Sequence, residues 1–104
     1  MSDQENKISL ESQHDAEQGY KLLENYLVPG REQEAEQQLL VFLEKFPNFA
    51  LAHNDLGVIS HKLEKLENAG SCYRKAVLLA PDNITFRKNL ADFIFVIEGH
   101  PEKA

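Results

Sequence analysis

The feature that most constrains the fold is a 34-residue period in the sequence. Prolines, small residues and leucines recur at this interval, and between them apolar residues are spaced by three and four, as in helices. A period of this length indicates one structural unit that occurs more than once and packs against its copies. The aligned sets are Pro47 with Pro81, Ala35 with Ala69, Leu39 with Tyr73, Leu22 with Leu56 and Leu90, Leu23 with Gly57 and Ala91, and Tyr26 with Ser60 and Ile94.

Local patterns predict five helices after a polar N-terminal tail. Residues 1–11 hold few apolar side chains, so a flexible tail is predicted there. Prolines and glycines predict the helix ends, because proline lacks a backbone donor and glycine accepts positive φ angles. No segment alternates strictly between apolar and polar residues, so no strand is expected. The predicted helices run from Ser12 to about Leu27, over Ala35–Phe46, from about Phe49 to Leu63, from Leu66 to Leu79 and from Ile84 to Ile97.

The 34-residue unit resembles the tetratricopeptide repeat, whose pattern is Trp-x2-Leu-Gly-x2-Tyr, then Ala-x3-Phe, then Pro. The resemblance implies an all-α fold of antiparallel helix pairs that stack into an α-α superhelix of about two and a half repeats. The repeat domain would span residues 12–104, with units at about 16–49, 50–83 and 84–104. The matching residues are His53, Leu56, Gly57, Ser60, Ala69, Tyr73, Ala76 and Pro81 in the middle unit, and Leu22, Leu23, Tyr26, Ala35, Leu39 and Pro47 in the first.

Helix packing explains the spacing without the family. Two helices approach to about 8–10 Å only where their contact side chains interlock. Gly57 on one helix and Ala69 and Ala76 on the next allow this approach, and Tyr73 fills the space that the small residues leave. Pro81 ends the second helix of the unit. The spacing therefore predicts a contact between Gly57 and Tyr73.

The third unit is shorter than the other two. Residues 99–104 resemble a turn and the first residues of a sixth helix, because Glu102-Lys103-Ala104 is similar to Glu67-Asn68-Ala69. We therefore expect this chain to be a fragment of a longer protein. The fifth predicted helix is apolar on nearly all sides, so it should expose an apolar patch.

Composition narrows the class of partner and the compartment. The chain has 11 basic and 17 acidic residues and a net charge of -6, which argues against nucleic acid. Ten acids and four bases lie in residues 1–50, so a basic partner would be attracted to that half. A single cysteine cannot form an internal disulfide, no apolar run is long enough to span a membrane, and the start is too polar for a signal peptide. These features predict a cytoplasmic protein without a membrane partner.

The sequence holds no pattern typical of catalysis. Cys72 and His61 could form a nucleophile and base, but no third residue is placed to orient them, so a structural thiol is expected. His53 and His61 are eight residues apart on one predicted helix, which is too far for a shared metal ion unless another helix contributes a ligand. A glycine-rich phosphate loop is also lacking. We therefore expect no enzymatic activity, no cofactor and no metal.

Protein binding is the function that the resemblance implies. Relatives hold a peptide or a helix on a concave surface lined by the first helix of each unit. The alternative for these residues is an ordinary solvated helix face without a partner. By register, the groove would present Tyr20 and Glu24 from the first unit, Asn54, Val58 and His61 from the second, and Lys88, Asp92 and Phe95 from the third.

Three hypotheses for the function follow. The first is an interaction module that binds a peptide or helix of a partner protein, with a basic or mixed peptide favoured by the acidic first half. The second is a regulatory or scaffolding domain of a larger enzyme, such as a glycosyltransferase, and the third is a homodimer formed through helix five. A chaperone's C-terminal Glu-Glu-Val-Asp peptide is not an expected ligand. Relatives that bind this peptide use Lys, Asn, Asn, Lys and Arg. None of these matches at the aligned positions of this chain, which are Tyr20, Glu24, Asp55, Thr85 and Asn89.

Overall fold

In a computed structural model, the backbone is described for residues 2–98 and side chains for residues 13–98. This part of the chain is all-helical and contains no strand, which confirms the predicted fold class. Superhelical stacking of the helix pairs stays a prediction. The elements are α1 (Ser2–Leu23), a 3-10 turn (Glu24–Tyr26), α2 (Glu32–Lys45), α3 (Ala50–Lys62), α4 (Leu66–Leu79) and α5 (Ile84–Glu98).

The ends of α3, α4 and α5 lie within one residue of their predicted positions, because proline and polar turn residues separate them. The N terminus differs from the prediction. α1 begins at Ser2 and continues through residues 2–11, for which the sequence predicts a tail. These residues include no proline or glycine, and many are good helix formers, so nothing in them stops the helix. The predicted start of a sixth helix lies in residues 99–104, outside the described residues.

Each helix packs chiefly against its neighbours in the chain, in the order α1 with α2, α2 with α3, α3 with α4, and α4 with α5. This arrangement gives an elongated molecule of 58 × 29 × 18 Å. The pair α3 and α4 has the most extensive contact. Contacts between elements next to each other in sequence are what repeat proteins show, since each unit touches mainly its neighbours.

Two apolar clusters hold the helices together. The first joins α1, α2 and α3, and its aromatic rings from Tyr20, Phe42, Phe46 and Phe49 lie with centroids 5.0–5.2 Å apart. Offset and edge-to-face contacts at this distance stabilise a core beyond the area that they bury. The second cluster joins α3, α4 and α5. Its members are Ala69, Tyr73 and Phe93, with Val58, Leu90 and Ile97 packed against them.

The 34-residue register is visible in the burial of most aligned residues. Ala35 and Ala69 are completely buried, and Leu39 and Tyr73 lie in the cores of their respective units. Leu22 departs from the register, because it is 72% exposed while its counterpart Leu56 is buried. In α1 the inward stripe consists instead of Ala16, Tyr20 and Leu23, at spacings of four and three. Leu22 lies about 100° around the helix from Leu23, on the side facing solvent.

Candidate functional site

The candidate site is a groove along α3 that contains two cavities, one on each side of Val58. The cavity towards α5 has a volume of about 140 Å³, and the cavity towards the 3-10 turn has a volume of about 110 Å³. Val58 is half-buried and lines both, so the two cavities meet at one side chain of α3. We name them the α5-side cavity and the turn-side cavity.

The α5-side cavity has aromatic walls and one charged edge. The ring centroids of Tyr73 and Phe93 are 5.3 Å apart, and His61 meets Phe93 edge-on, also at 5.3 Å. An apolar cavity of about 150 Å³ can hold a benzene-sized group, so this cavity can take one apolar side chain. Asp92 lines the cavity and accepts a hydrogen bond from Lys88 Nζ at 2.8 Å. The other lining residues are Val58, Asn89 and Val96.

The turn-side cavity is built by the segment that links the 3-10 turn to α2. Leu27, Val28 and Pro29 form its apolar wall, and the position of this wall depends on the break in the helix at Pro29-Gly30. Gly30 has a φ of 92°, a left-handed conformation that glycine adopts at low cost. Ile59 on α3 completes the apolar wall. The rest of the lining consists of one acidic residue, Asp55, and one basic residue, Lys62. The charge at this cavity is therefore mixed.

The structure brings three of the eight predicted groove residues together: Val58, His61 and Asp92 line the α5-side cavity. Three others are exposed outside the two cavities. Glu24 lies in the 3-10 turn and Lys88 lies one helical turn before Asp92, while the ring of Phe95 is 74% exposed. The remaining two, Tyr20 and Asn54, are buried inside the domain.

The buried positions of Tyr20 and Asn54 correct the expectation that they face a peptide. The hydroxyl of Tyr20 donates a hydrogen bond to the carboxylate of Asp55. Asn89 Nδ2 donates to Asn54 Oδ1 at 3.1 Å. Both side chains therefore use their polar atoms within the fold.

These two hydrogen bonds join aligned positions in successive units, with the earlier helix donating in the first and accepting in the second. Tyr20 and Asn54 are 34 residues apart, as are their partners Asp55 and Asn89. Each bond joins the first helix of one unit to the first helix of the next. Sequence analysis did not predict this contact, although a signal for it is present in the sequence. Tyr20 and Asn54 share one register position, and a polar residue follows each of them 35 positions later, Asp55 and Asn89. A polar pair at that interval could have predicted a link between units rather than a ligand.

Burial shifts the pKa of both members of the Tyr20–Asp55 pair. Desolvation raises the pKa of the Asp55 carboxyl, whereas hydrogen bonds from Tyr20 and Asn54 lower it and the nearby Glu24 carboxylate raises it further. Burial also raises the pKa of the Tyr20 hydroxyl, and the hydrogen bond to Asp55 raises it again. The tyrosine therefore stays protonated and acts as the donor.

Asp55→Asn tests the cost of burying this carboxylate. Because the native pKa is raised, the native state binds the Asp55 proton more tightly than the unfolded chain does, and stability is lost as pH rises through the native pKa. An asparagine can still accept from the Tyr20 hydroxyl through its side-chain Oδ1. We expect the variant to gain stability over the parent as the pH increases from about 4 towards neutrality, measured by urea unfolding.

The control for this prediction is Asp82→Asn, since Asp82 is exposed in the turn between α4 and α5. Only the Asp55 variant should show a difference from the parent that grows with pH. A difference that is the same at every pH would contradict the assigned role of the carboxylate.

Among the described residues, Cys72 and His53 both make contacts within the fold. Burial raises the pKa of the Cys72 thiol, and the residue packs against the first apolar cluster, so the nucleophilic thiolate is disfavoured. His53 Nε2 donates to the backbone carbonyl of Pro47 at 2.7 Å. Among the side chains that the structure describes, no group of three or more potential ligands could hold a metal ion, and none of the described helices has both the length and the apolarity that a membrane span needs.

Comparison with known proteins adds no assignment, because no protein family model matches the chain and no curated protein is significantly similar to it in sequence.

Proposed function

We propose that this chain is a tetratricopeptide-like interaction module without enzymatic activity, and that it binds a segment of a partner protein in the groove along α3. The observation that carries the proposal is the pair of cavities that meet at Val58, on the helix face where the repeat resemblance expects a ligand. Each cavity can receive an apolar side chain of the bound segment. Burying such side chains would supply most of the affinity, as anchor residues do in other interfaces.

The charges around the groove indicate the polar character of the partner. Asp55 and Lys62 line the turn-side cavity, and Asp92 of the α5-side cavity accepts a hydrogen bond from Lys88, which lies outside that cavity, so charges of both signs are present at the groove. The partner segment should therefore carry apolar anchors between charged residues of both signs, rather than a run of basic residues. Of the basic and mixed peptides expected from the sequence, these charges favour the mixed peptide. We also propose a cytoplasmic location, on the basis of the single cysteine in the sequence.

Peptide selection with a matched pair of variants tests the proposal. A random peptide library is selected on the purified chain, and the enriched peptides are titrated against Val58→Glu and Val41→Glu. Val41 is 64% exposed on α2 and lines neither cavity, so the second variant introduces the same charge away from the groove. We expect Val58→Glu to weaken binding at least tenfold, because an unpaired carboxylate at the apolar junction costs about 1.4 kcal/mol or more. Val41→Glu should bind as the parent does.

A second groove variant controls for a loss of binding that is caused by a folding defect. Val96 lines the α5-side cavity and is exposed at the surface, so Val96→Glu should leave the helices intact. Circular dichroism checks that all three variants have the helicity of the parent. If the selected peptides bind Val58→Glu and Val96→Glu as tightly as the parent, the groove is not the binding site.

A further inference from the structure

The two cavities of the groove differ in charge. Asp92 lines the α5-side cavity, and no lysine or arginine is among the described residues of its lining. The turn-side cavity has Lys62 as well as Asp55, so its two charges offset each other. A carboxylate at the edge of a cavity that has no cation in its wall favours a positively charged ligand group. The α5-side cavity is therefore the one of the two that can select a cationic side chain.

The present partner of Asp92 can be replaced at little cost. Lys88 lies one helical turn earlier on α5, outside the cavity, and its Nζ donates to Asp92 Oδ2 at 2.8 Å. The two side chains are 72% and 62% exposed. An exposed ion pair of this kind contributes little stability, because water competes for both charges. A cation that reaches Asp92 from within the cavity can thus take the place of Lys88.

Asn89 supplies a second acceptor at the same edge. Its Nδ2 donates to Asn54 Oδ1 at 3.1 Å, so the side-chain oxygen is the acceptor that Asn89 can offer to a ligand. Asn89 and Asp92 are three residues apart on α5 and therefore lie on one face of the helix. Both line the cavity. Two acceptors on one edge suit a ligand group that carries several donors.

The aromatic wall favours arginine over lysine. Tyr73 and Phe93 line the cavity with ring centroids 5.3 Å apart. A guanidinium group is planar, stacks on aromatic faces and is more weakly hydrated than an ammonium group. The arginine stem is apolar and can be buried against Val58 and Val96, which line the same cavity. One arginine side chain therefore matches both the apolar wall and the anionic edge.

The chain itself contains this combination of contacts at Arg31. The guanidinium carbon of Arg31 lies 4.7 Å from the centre of the Tyr26 ring. The same group donates two hydrogen bonds to the carboxylate of Glu34, from Nε at 3.1 Å and from Nη2 at 2.9 Å. Paired bonds of this kind fix the orientation of the guanidinium plane. A ring beside a carboxylate is thus an environment that accommodates arginine in this protein.

We infer that the α5-side cavity binds an arginine side chain of the partner segment. The guanidinium group pairs with Asp92 and Asn89, and the stem packs against Val58 and the aromatic wall. The inference rests on the proposed function, because it names one anchor residue of the segment bound in the groove. The turn-side cavity takes the apolar anchor of the same segment.

Replacing the arginine in selected peptides tests the inference. The random peptide library is selected on the purified chain, and we expect the enriched peptides to share an arginine. Each enriched peptide is then synthesised with citrulline at that position, which keeps the shape of arginine but has no charge. The citrulline peptide should bind about tenfold more weakly, because the charge-assisted bonds to Asp92 are lost.

Asp92→Asn identifies the group that recognises the charge. The variant should bind the arginine peptide about tenfold more weakly than the parent chain does, and it should bind the citrulline peptide as the parent does. Asp82→Asn removes the same charge from an exposed turn and should leave both affinities unchanged. A folding defect would weaken the two peptides alike, so the difference between them reports the pairing itself.

Opposite charges at the junction of the cavities provide a second test. Val58→Glu and Val58→Arg both place an unpaired charge at this apolar position, and both should weaken binding. Val58→Arg should weaken the arginine peptide more than Val58→Glu does, because a second guanidinium group repels the first. The citrulline peptide should not show this difference.

Two outcomes would overturn the inference and leave the proposed function intact. The first is a set of enriched peptides that both Val58 variants weaken but that share no arginine. The second is an equal loss of the arginine and citrulline peptides on Asp92→Asn. A selection that enriches no peptide sensitive to the Val58 variants would instead contradict the proposed function, and the inference with it.

Discussion

Leu39→Ala should destabilise the domain by roughly 2–5 kcal/mol, the cost of removing a large side chain from a packed core. Leu39 is completely buried in the cluster that joins α1, α2 and α3. The cavity that the substitution leaves would lie among all three helices, so little relaxation can close it. For a domain of this size, the melting temperature should fall by about 8 °C or more.

The neighbouring residue provides the control. Leu40 has the same side chain and lies in the same helix, but it is 50% exposed. Leu40→Ala should change the free energy of unfolding by no more than about 0.5 kcal/mol. Urea unfolding of both variants gives the comparison, and similar losses for the two would contradict the inward orientation of α2.

Gly57→Leu should cost roughly 1–3 kcal/mol through overpacking against α4. The Cβ alone would lie 3.0 Å from two atoms of the Tyr73 ring, and the remaining leucine atoms have to displace the ring or separate the helices. The gain in helix propensity on replacing glycine, about 1 kcal/mol, offsets part of this cost. An unchanged melting curve for Gly57→Leu would contradict the packing of α3 on α4.

Two further variants separate the close contact from helix propensity. A Cβ on Gly19 would lie 3.6 Å from the Phe42 ring, which is an ordinary contact distance. Gly19→Ala should therefore stabilise the domain through its gain in helix propensity, whereas Gly57→Ala should not. The double variant Gly57→Leu/Tyr73→Leu recreates the pair of Leu23 and Leu39 from the first unit. It should recover part of the stability that Gly57→Leu loses.

Much of the fold could be predicted because its signals are local. Pro81 and the polar residues after it end α4 whatever the rest of the chain does, and the buried stripes of α2 and α4 follow from helical periodicity. The 34-residue interval also placed Ala35 and Ala69 correctly in the interior. Superhelical stacking and partner binding stay predictions, since the arrangement of five helices does not test them.

The candidate site was predicted only in part. Val58, His61 and Asp92 lie together as the register implies, because all three are on the open side of first helices. Tyr20 and Asn54 share that register but are buried by contacts to the next unit. Register assigns a residue to a position on a helix, and the angle between two helices decides whether that position is open or covered.

By itself, the sequence determined that this chain forms helices, where most of them end, and which small residues allow close packing. These properties depend on backbone donors, φ preferences and side-chain volume within a few residues. Only the tertiary structure decided that Leu22 faces solvent, that Tyr20 reaches Asp55, and that two cavities meet at Val58. Each of these depends on the distance and rotation between helices that are separated in sequence, and many combinations of distance and rotation are compatible with one local pattern.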